Sequence, residues 1–350
     1  MGRRSILGRR SILYSLVAGA LGWTSLSAQD LTTELRIKLT SPDGSTVSGA
    51  LIALVNTSDS VVSEGLASAD GFRALRARPG AYRVRVRRIG YLPFLSTELT
   101  LPRQDELTLS VESPRVLLQS IVVNSTSQCG RNDVGAEALA TVWDEIDKAL
   151  RSSQLTLFDL AGMGRAHKYT RDIDSTGKVI HGDSSEFSIT NRRPFGVEDP
   201  AKLATDGYVT GDMNEGWTLF GPDERVLQSE QFAATHCFRL VREAERPGLI
   251  GVSFEPVPKR IVADISGVIW VDQNTSELRE INFRFVNAGP LSRFDAGGFT
   301  RFSRVPSGAW IVDEWQLRAP TLAIRIGSSK SNLTAVGRRD TGGGVVRPAR

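Results

Sequence analysis

Between Ser41 and Tyr91, apolar runs of strand length are broken at Asp43-Gly44, Asp70-Gly71 and Pro79-Gly80, too often for a helix to form. The runs themselves alternate. Tyr82, Val84 and Val86 face one way and Arg83, Arg85 and Arg87 the other, the period of two that a half-buried strand requires. Upstream, Leu35, Ile37 and Leu39 alternate with Arg36 and Lys38, while Val47 to Val55 and Val61 to Leu66 supply two more apolar runs. Strands recurring about every ten residues predict a small antiparallel β-sandwich over 32–113.

A chain of 350 residues is long enough for a second core beside that sandwich. Its formal charge of +4 suggests an anionic partner until the cations are located. Arg3, Arg4, Arg9 and Arg10 all precede the first acid, Asp30, and the 43 basic residues less these four match the 39 acidic ones. Global attraction to nucleic acid is therefore not expected. The basic start leads into an apolar run over 12–21 and then Ser25-Leu26-Ser27-Ala28-Gln29, the layout of a secretory signal peptide over 1–28. That run is short for a membrane anchor, and no later stretch is long and apolar enough to span. The mature chain is thus expected to have no transmembrane segment and to be periplasmic, outer-membrane-associated or secreted. The repeated Arg-Arg-Ser-Ile-Leu resembles a twin-arginine signal, and both that route and the general secretory route stay open.

Val47, Gly49-Ala50, Asp70-Gly71-Phe72, Pro79-Gly80-Ala81-Tyr82 and Gly90-Tyr91, in this order and spacing, resemble the carboxypeptidase regulatory-like domain, a transthyretin-like sandwich grouped with carbohydrate-binding-like folds. The resemblance covers about residues 32–113. It implies structural roles for these residues, glycines supplying turn dihedrals and tyrosines packing the core, and no catalytic group. A zinc carboxypeptidase would need His-x-x-Glu. The three histidines, His167, His181 and His236, are followed at the third position by Thr170, Ser184 and Arg239. A two-residue turn within 174–177 would set His181 opposite Thr170 or Asp172, an odd number of residues from His167, so the two rings face opposite sides. No metal and no cofactor is expected.

In an oxidising compartment Cys129 and Cys237 have one intramolecular pairing, and a disulfide is expected; the other reading is two unrelated buried thiols. The bond would close a loop of roughly 100 residues, for which chain entropy gives about 4–5 kcal/mol. Arg83, Arg85, Arg87 and Arg88 form the candidate anionic-ligand surface, able to grip phosphate or carboxylate groups of a glycan, a lipid or a partner protein. Alternatively they are the wet face of an edge strand, where charge blocks unwanted pairing.

After a linker over 114–133, Leu139, Val142, Trp143, Ile146 and Leu150 recur at helical spacing and predict an amphipathic helix over 134–152. Asp144–Lys148 and Asp147–Arg151 are expected as i,i+4 pairs on its outside. Residues 155–335 predict an antiparallel β-rich domain whose candidate strands include His236–Val241, Leu249–Pro256, Leu278–Val286, Gly308–Leu317 and Leu322–Ile326, with Ile281, Phe283 and Phe285 alternating with Asn282 and Arg284. Gly267 to Asp272, followed by Thr275 and Leu278, is similar to the strand-turn-strand of periplasmic lipoprotein-carrier-like folds, a curved sheet wrapped on a helix. Trp217, Trp270, Trp310 and Trp315 either line an apolar cleft or fill the core. The Gly- and Arg-rich end predicts a disordered tail over 336–350.

These features predict a mainly β, exported, non-enzymatic protein that binds or scaffolds in the cell envelope, with an envelope glycan, a lipid or another envelope protein as partner. Two other functions stay open. One is a periplasmic carrier of lipid or acyl chains using a cleft in the C-terminal domain; the other is a hydrolase whose site the sequence does not reveal.

Overall fold

The computed structural model describes residues 32–112, 118, 136–159, 164–188, 198–213, 215–305, 308, 310–326 and 331–346. The leader over 1–28, the linker over 114–133 apart from Leu118, and Cys129 within it lie outside the described residues.

The N-terminal strands are β1 (Thr33–Thr40), β2 (Leu51–Val55), β3 (Val61–Leu66), β4 (Phe72–Ala77), β5 (Gly80–Arg87), β6 (Phe94–Leu95), β7 (Leu99–Leu101) and β8 (Leu107–Ser110). They form one sheet in the order β4-β1-β8 and a second in the order β3-β2-β5-β6, with β7 also on β5. The alternation read from the sequence decides the packing. Leu35, Ile37 and Leu39 from the first sheet meet Ile52, Leu54, Val84 and Val86 from the second in one buried cluster. One pair departs from the antiparallel expectation: β8 runs parallel to β1. Tyr82 is buried with its hydroxyl donating to the Arg78 carbonyl at 2.9 Å, which ties β5 to the Pro79-Gly80 turn.

The long helix α1 (Ala136–Asp159) follows, about two turns beyond its predicted end. The hairpin of β9 (Arg165–Asp174) and β10 (Val179–Ser188) leads to α2 (Pro200–Asp206), the small ribbon β11 (Val209–Asp212) and β12 (Gly216–Leu219), and two short helices, α3 (Glu224–Leu227) and α4 (Glu230–Thr235). Asp199, Asp223 and Ser229 cap the three helices by accepting backbone N–H bonds. The chain then meanders through β13 (His236–Val241), β14 (Leu249–Pro256), β15 (Asp264–Asp272), β16 (Leu278–Val286), a single turn α5 (Pro290–Arg293), β17 (Gly297–Arg304), β18 (Trp310–Ile326) and β19 (Ser331–Val346). Nine strands make one antiparallel sheet in the order β10-β9-β19-β18-β17-β16-β15-β14-β13. Val142, Ile146, Ala149 and Leu150 of α1 pack on Ile250, Val252, Phe254, Ile269, Ile281 and Phe283 of its inner face.

Two expectations fail here. Residues 336–346 of the expected tail are strand: β19 lies between β18 and β9, pairing with β18 over Ser331–Gly343 and with β9 over Gly337–Val346. Its glycines are strand residues at places of close approach, since a β-carbon at Gly342 would run into the Tyr169 ring at 2.5 Å and one at Gly344 into the Asp313 carbonyl. The break expected between separate strands over 308–317 and 322–326 is also missing. Pro320 sits inside β18, beyond the last residue paired with β17, Arg318, where the strand has a neighbour on one side only and a missing N–H is tolerated.

From Thr32 onward the chain is one compact unit, so the sandwich is seated on the second sheet instead of hanging from it. Gly49, at φ +65°, abuts Gly308, and a β-carbon there would strike the Gly308 carbonyl and backbone. Gly49→Ala combines a left-handed φ, about 1–2 kcal/mol, with overpacking, about 1–3 kcal/mol. A loss of about 2–4 kcal/mol in denaturant titration is expected, and none would mean that this contact gives way freely. No helix among the described residues is long and apolar enough to cross a membrane.

Candidate functional site

The arginine row is where the sequence points first. The strand β5 carrying it is flanked by β2 on one side and β6 and β7 on the other, so it is not the edge strand considered above. Arg83 and Arg85 reach Asp59 Oδ1 at 3.5 and 2.7 Å. Arg87 reaches Asp144 Oδ1 at 2.8 Å and Asp147 Oδ2 at 2.9 Å, both on α1. Arg88 lies over the Tyr91 ring at 4.6 Å. Burial alone would pull the Arg87 pKa down, but Asp147 and Asp144 together hold it above its ordinary value. The row is therefore largely occupied by the protein's own carboxylates, and Arg87 acts as a clamp between sandwich and helix.

The clamp continues inward. Lys148 and Glu145 of α1 are both fully buried, their charges 2.7 Å apart. Lys148 also reaches Asp144 Oδ2 at 2.8 Å and donates to the Tyr91 carbonyl at 2.8 Å, while the Gly90 N–H donates to Glu145 Oε2 at 2.6 Å. Burial raises the Glu145 pKa in spite of Lys148. For Asp144 burial pushes upward too, but Lys148 and Arg87 win and its pKa is lowered. The expected pairs on the outer face of the helix are thus corrected. Asp144–Lys148 forms but is turned inward, Asp147 goes to Arg87 and to Gln228 Nε2 at 2.6 Å, and Arg151 goes to Glu64 of β3.

The tryptophans resolve to core. Trp270, Trp310 and Trp315 are 1–3 % exposed, and Trp217 packs partly buried against the inner-face cluster that holds Trp310 and Trp315. A cleft lined by all four does not form, because Trp270, opposite Glu280, stands on the other face of the sheet with Arg246 over its ring at 4.9 Å.

Of the histidines, His181 pairs with Asp172, five residues from His167, so the two stand on opposite faces of the hairpin as the register argument requires. His236 has a setting that sequence reasoning missed. Its Nε2 is 3.2 Å from Asp264 Oδ1, its Nδ1 is 3.1 Å from Thr235 Oγ1, and Phe232 stacks on its ring at 4.1 Å. Arg260 pairs with the other oxygen of Asp264 and donates to the Ala204 and Leu203 carbonyls. Burial and Asp264 push the nearby Tyr208 hydroxyl's pKa far up. A hydroxyl, an imidazole and a carboxylate in a row suit proton transfer, yet both His236 and Asp264 side chains are fully buried and Thr235 donates to the Gln231 carbonyl at 2.7 Å. The arrangement pins α4 and α2 to β15. Asp264, a carboxylate opening a mostly apolar strand, was the one available signal. No group of three metal-ligating side chains occurs among the described residues.

Cys237 is half-buried on β13, opposite Glu255. Its expected partner Cys129 is outside the described residues. On the sandwich, a hollow of about 190 Å3 opens beside the clamp, walled by Pro42, Val86, Tyr91 and Leu92 with Arg88 and Glu112 at its polar side. Leu92 in its wall is 50 % exposed, and Leu95, opposite Arg85 on β6, is 43 % exposed.

Residues 34–113 match the family model of the carboxypeptidase regulatory-like domain, so this part of the chain is such a domain. No curated protein matches the chain.

Proposed function

Starting from a regulatory-like domain seated on a nine-stranded sheet, we propose that the chain is an exported, non-enzymatic scaffolding protein of the cell envelope that binds another envelope protein through the Leu92 end of its sandwich. The observation that carries this reading is the fixed display of that end. Residues 87–91 are bonded to α1 by two buried charges and Arg87, so the adjoining hollow is held rigid at no further ordering cost on binding. Its apolar walls, with Leu92 exposed among them and Leu95 exposed on β6, suit a protein side chain better than a sugar or phosphate. The arginine row supports anion capture less well, since Arg83, Arg85 and Arg87 already have carboxylates. The carrier reading is disfavoured by the buried tryptophans.

Export and the Cys129–Cys237 disulfide belong to the same proposal. Intact mass spectrometry of the full chain expressed in a secreting host tests them together. The expected product begins at Gln29 and shows no thiol until reduced, then two. A photo-crosslinker at Leu92 tests the surface. It should trap a defined protein partner that a crosslinker at Ile261, exposed and apolar on the other body of the fold, does not trap, and Leu95→Asp should abolish the product. Equal labelling from both positions would overturn the reading.

A further inference from the structure

The face of the nine-stranded sheet turned away from α1 carries a second hollow, of about 200 Å3, over the start of β17. The inner face holds Ile281, Phe283 and Trp315, so the alternate residues Asn282, Phe299 and Gln316 stand outside, side by side across β16, β17 and β18. Arg318 follows one step along, opposite Gly297 and, on its other side, Asp340. The floor is Gly297 and Gly298, and a β-carbon at either would strike the backbone carbonyl of a neighbouring strand. The cavity is thus built into the backbone.

Its walls are incompletely satisfied. Asn282 bonds to Glu280, but its buried Oδ1 has no hydrogen bond. Arg318 Nε and Asp340 Oδ1 also lack one, although they face each other as an ion pair at 3.8 Å. Asp340 is 4 % exposed. Three of the nine such atoms among the described residues fall on these three neighbours. Buried polar groups are as a rule paired, so a cluster of them at one hollow marks a place where the partners come from outside the chain, from water or from the hydroxyls of a ligand that displaces it.

The pattern selects the ligand's chemistry. In the hollow the Asn282 oxygen needs a donor and the Arg318 guanidinium an acceptor, beside the half-buried Phe299 ring, while Asp340 adjoins Arg318 from β19 outside the lining. An anion meets Asp295 and Asp340 as well as Arg318, a cation meets Arg318 and Arg338, and an acyl chain leaves all three polar atoms unpaired. A ring of hydroxyls both gives and accepts at adjacent positions and offers a C–H face to the phenylalanine. We infer that this hollow is a saccharide-binding site, taking one sugar unit of a chain that crosses the open sheet.

The test is isothermal titration of the chain without residues 1–28 against oligomers of N-acetylglucosamine, of glucose and of galacturonic acid, with an oligoalanine peptide beside them. One neutral oligosaccharide is expected to bind saturably, and Asn282→Leu and Arg318→Met should each weaken it by about tenfold or more. Asn282→Leu removes the unpaired Oδ1 together with the bond to Glu280, two opposing effects, so its thermal midpoint should stay close to that of the wild type, which separates lost binding from lost fold. Leu92→Asp, at the sandwich end, should leave saccharide binding unchanged, so this inference and the scaffold reading fail separately. Binding of none of the neutral oligomers up to about 10 mM, preference for the peptide or the galacturonate, or unchanged affinity in Asn282→Leu would each overturn the assignment.

Discussion

Lys148→Met is expected to lower stability by about 3–5 kcal/mol, the loss that follows when one member of a buried ion pair is removed and the other stays charged. Lys148 has no exposed surface, and its ammonium is shared by Glu145, Asp144 and the Tyr91 carbonyl. Asp144 is 41 % exposed on its side chain and can turn to water, but Glu145 cannot. The double variant Lys148→Met with Glu145→Gln should therefore recover most of the loss, since glutamine still accepts from the Gly90 N–H. Urea midpoints measure both, and a single variant within about 0.5 kcal/mol of wild type would refute the clamp. The pH dependence has a defined sign. Glu145 has a folded pKa raised above 4.5 by burial, so its contribution is present in acid and is lost as the pH rises from about 4.5 toward the folded value. Asp144, lowered below 3.8, works the other way, and its contribution is lost as the pH falls. Glu145→Gln removes only the first of these, so the variant should gain on wild type as the pH rises above about 4.5. A constant difference over that range would mean that burial leaves this carboxyl unperturbed.

This junction shows where sequence reasoning stops. The alternation of Tyr82, Val84 and Val86 with arginines is a local property of one strand, and the structure reproduces it residue for residue. What covers the arginine side depends on Asp144 and Asp147, about 60 positions away, and no period in the sequence connects them. The same holds for α1. Its apolar stripe predicted the helix, but Lys148, paired with Asp144, read as solvent-facing because charge is usually exposed, and only the arrival of residues 88–91 buries it. The strands β13, β14 and β16 match their expected bounds because their own patterns set them. The end of the chain misled for the opposite reason: Gly342, Gly343 and Gly344 look like disorder in composition, yet each is needed where β19 threads between two strands. The polar hollow on the outer face was illegible, because it depends on which of Asn282, Gln316 and Arg318 fall beside one another after four strands pair.

Trp310→Ala is expected to cost about 3–5 kcal/mol, the range for emptying a buried aromatic position. Trp310 is 1 % exposed and belongs to the cluster joining α1 to the inner face of the sheet. Its Nε1 is buried without a hydrogen bond, so Trp310→Phe sheds an unpaired donor while keeping most of the ring and should cost less than about 1.5 kcal/mol. That contrast separates the two roles the sequence left open for the tryptophans. A tryptophan lining an empty cleft has few atoms to lose contact with, so truncation would change stability little and acyl-chain binding a great deal. A core tryptophan reverses both: truncation unfolds the protein by several kcal/mol, and fatty acid added to the wild type leaves the indole emission where it was. Urea denaturation of both variants, with an acyl-chain titration of the wild type followed by fluorescence, decides between them. A small loss in Trp310→Ala together with an emission shift on titration would reinstate the carrier and displace the scaffold reading.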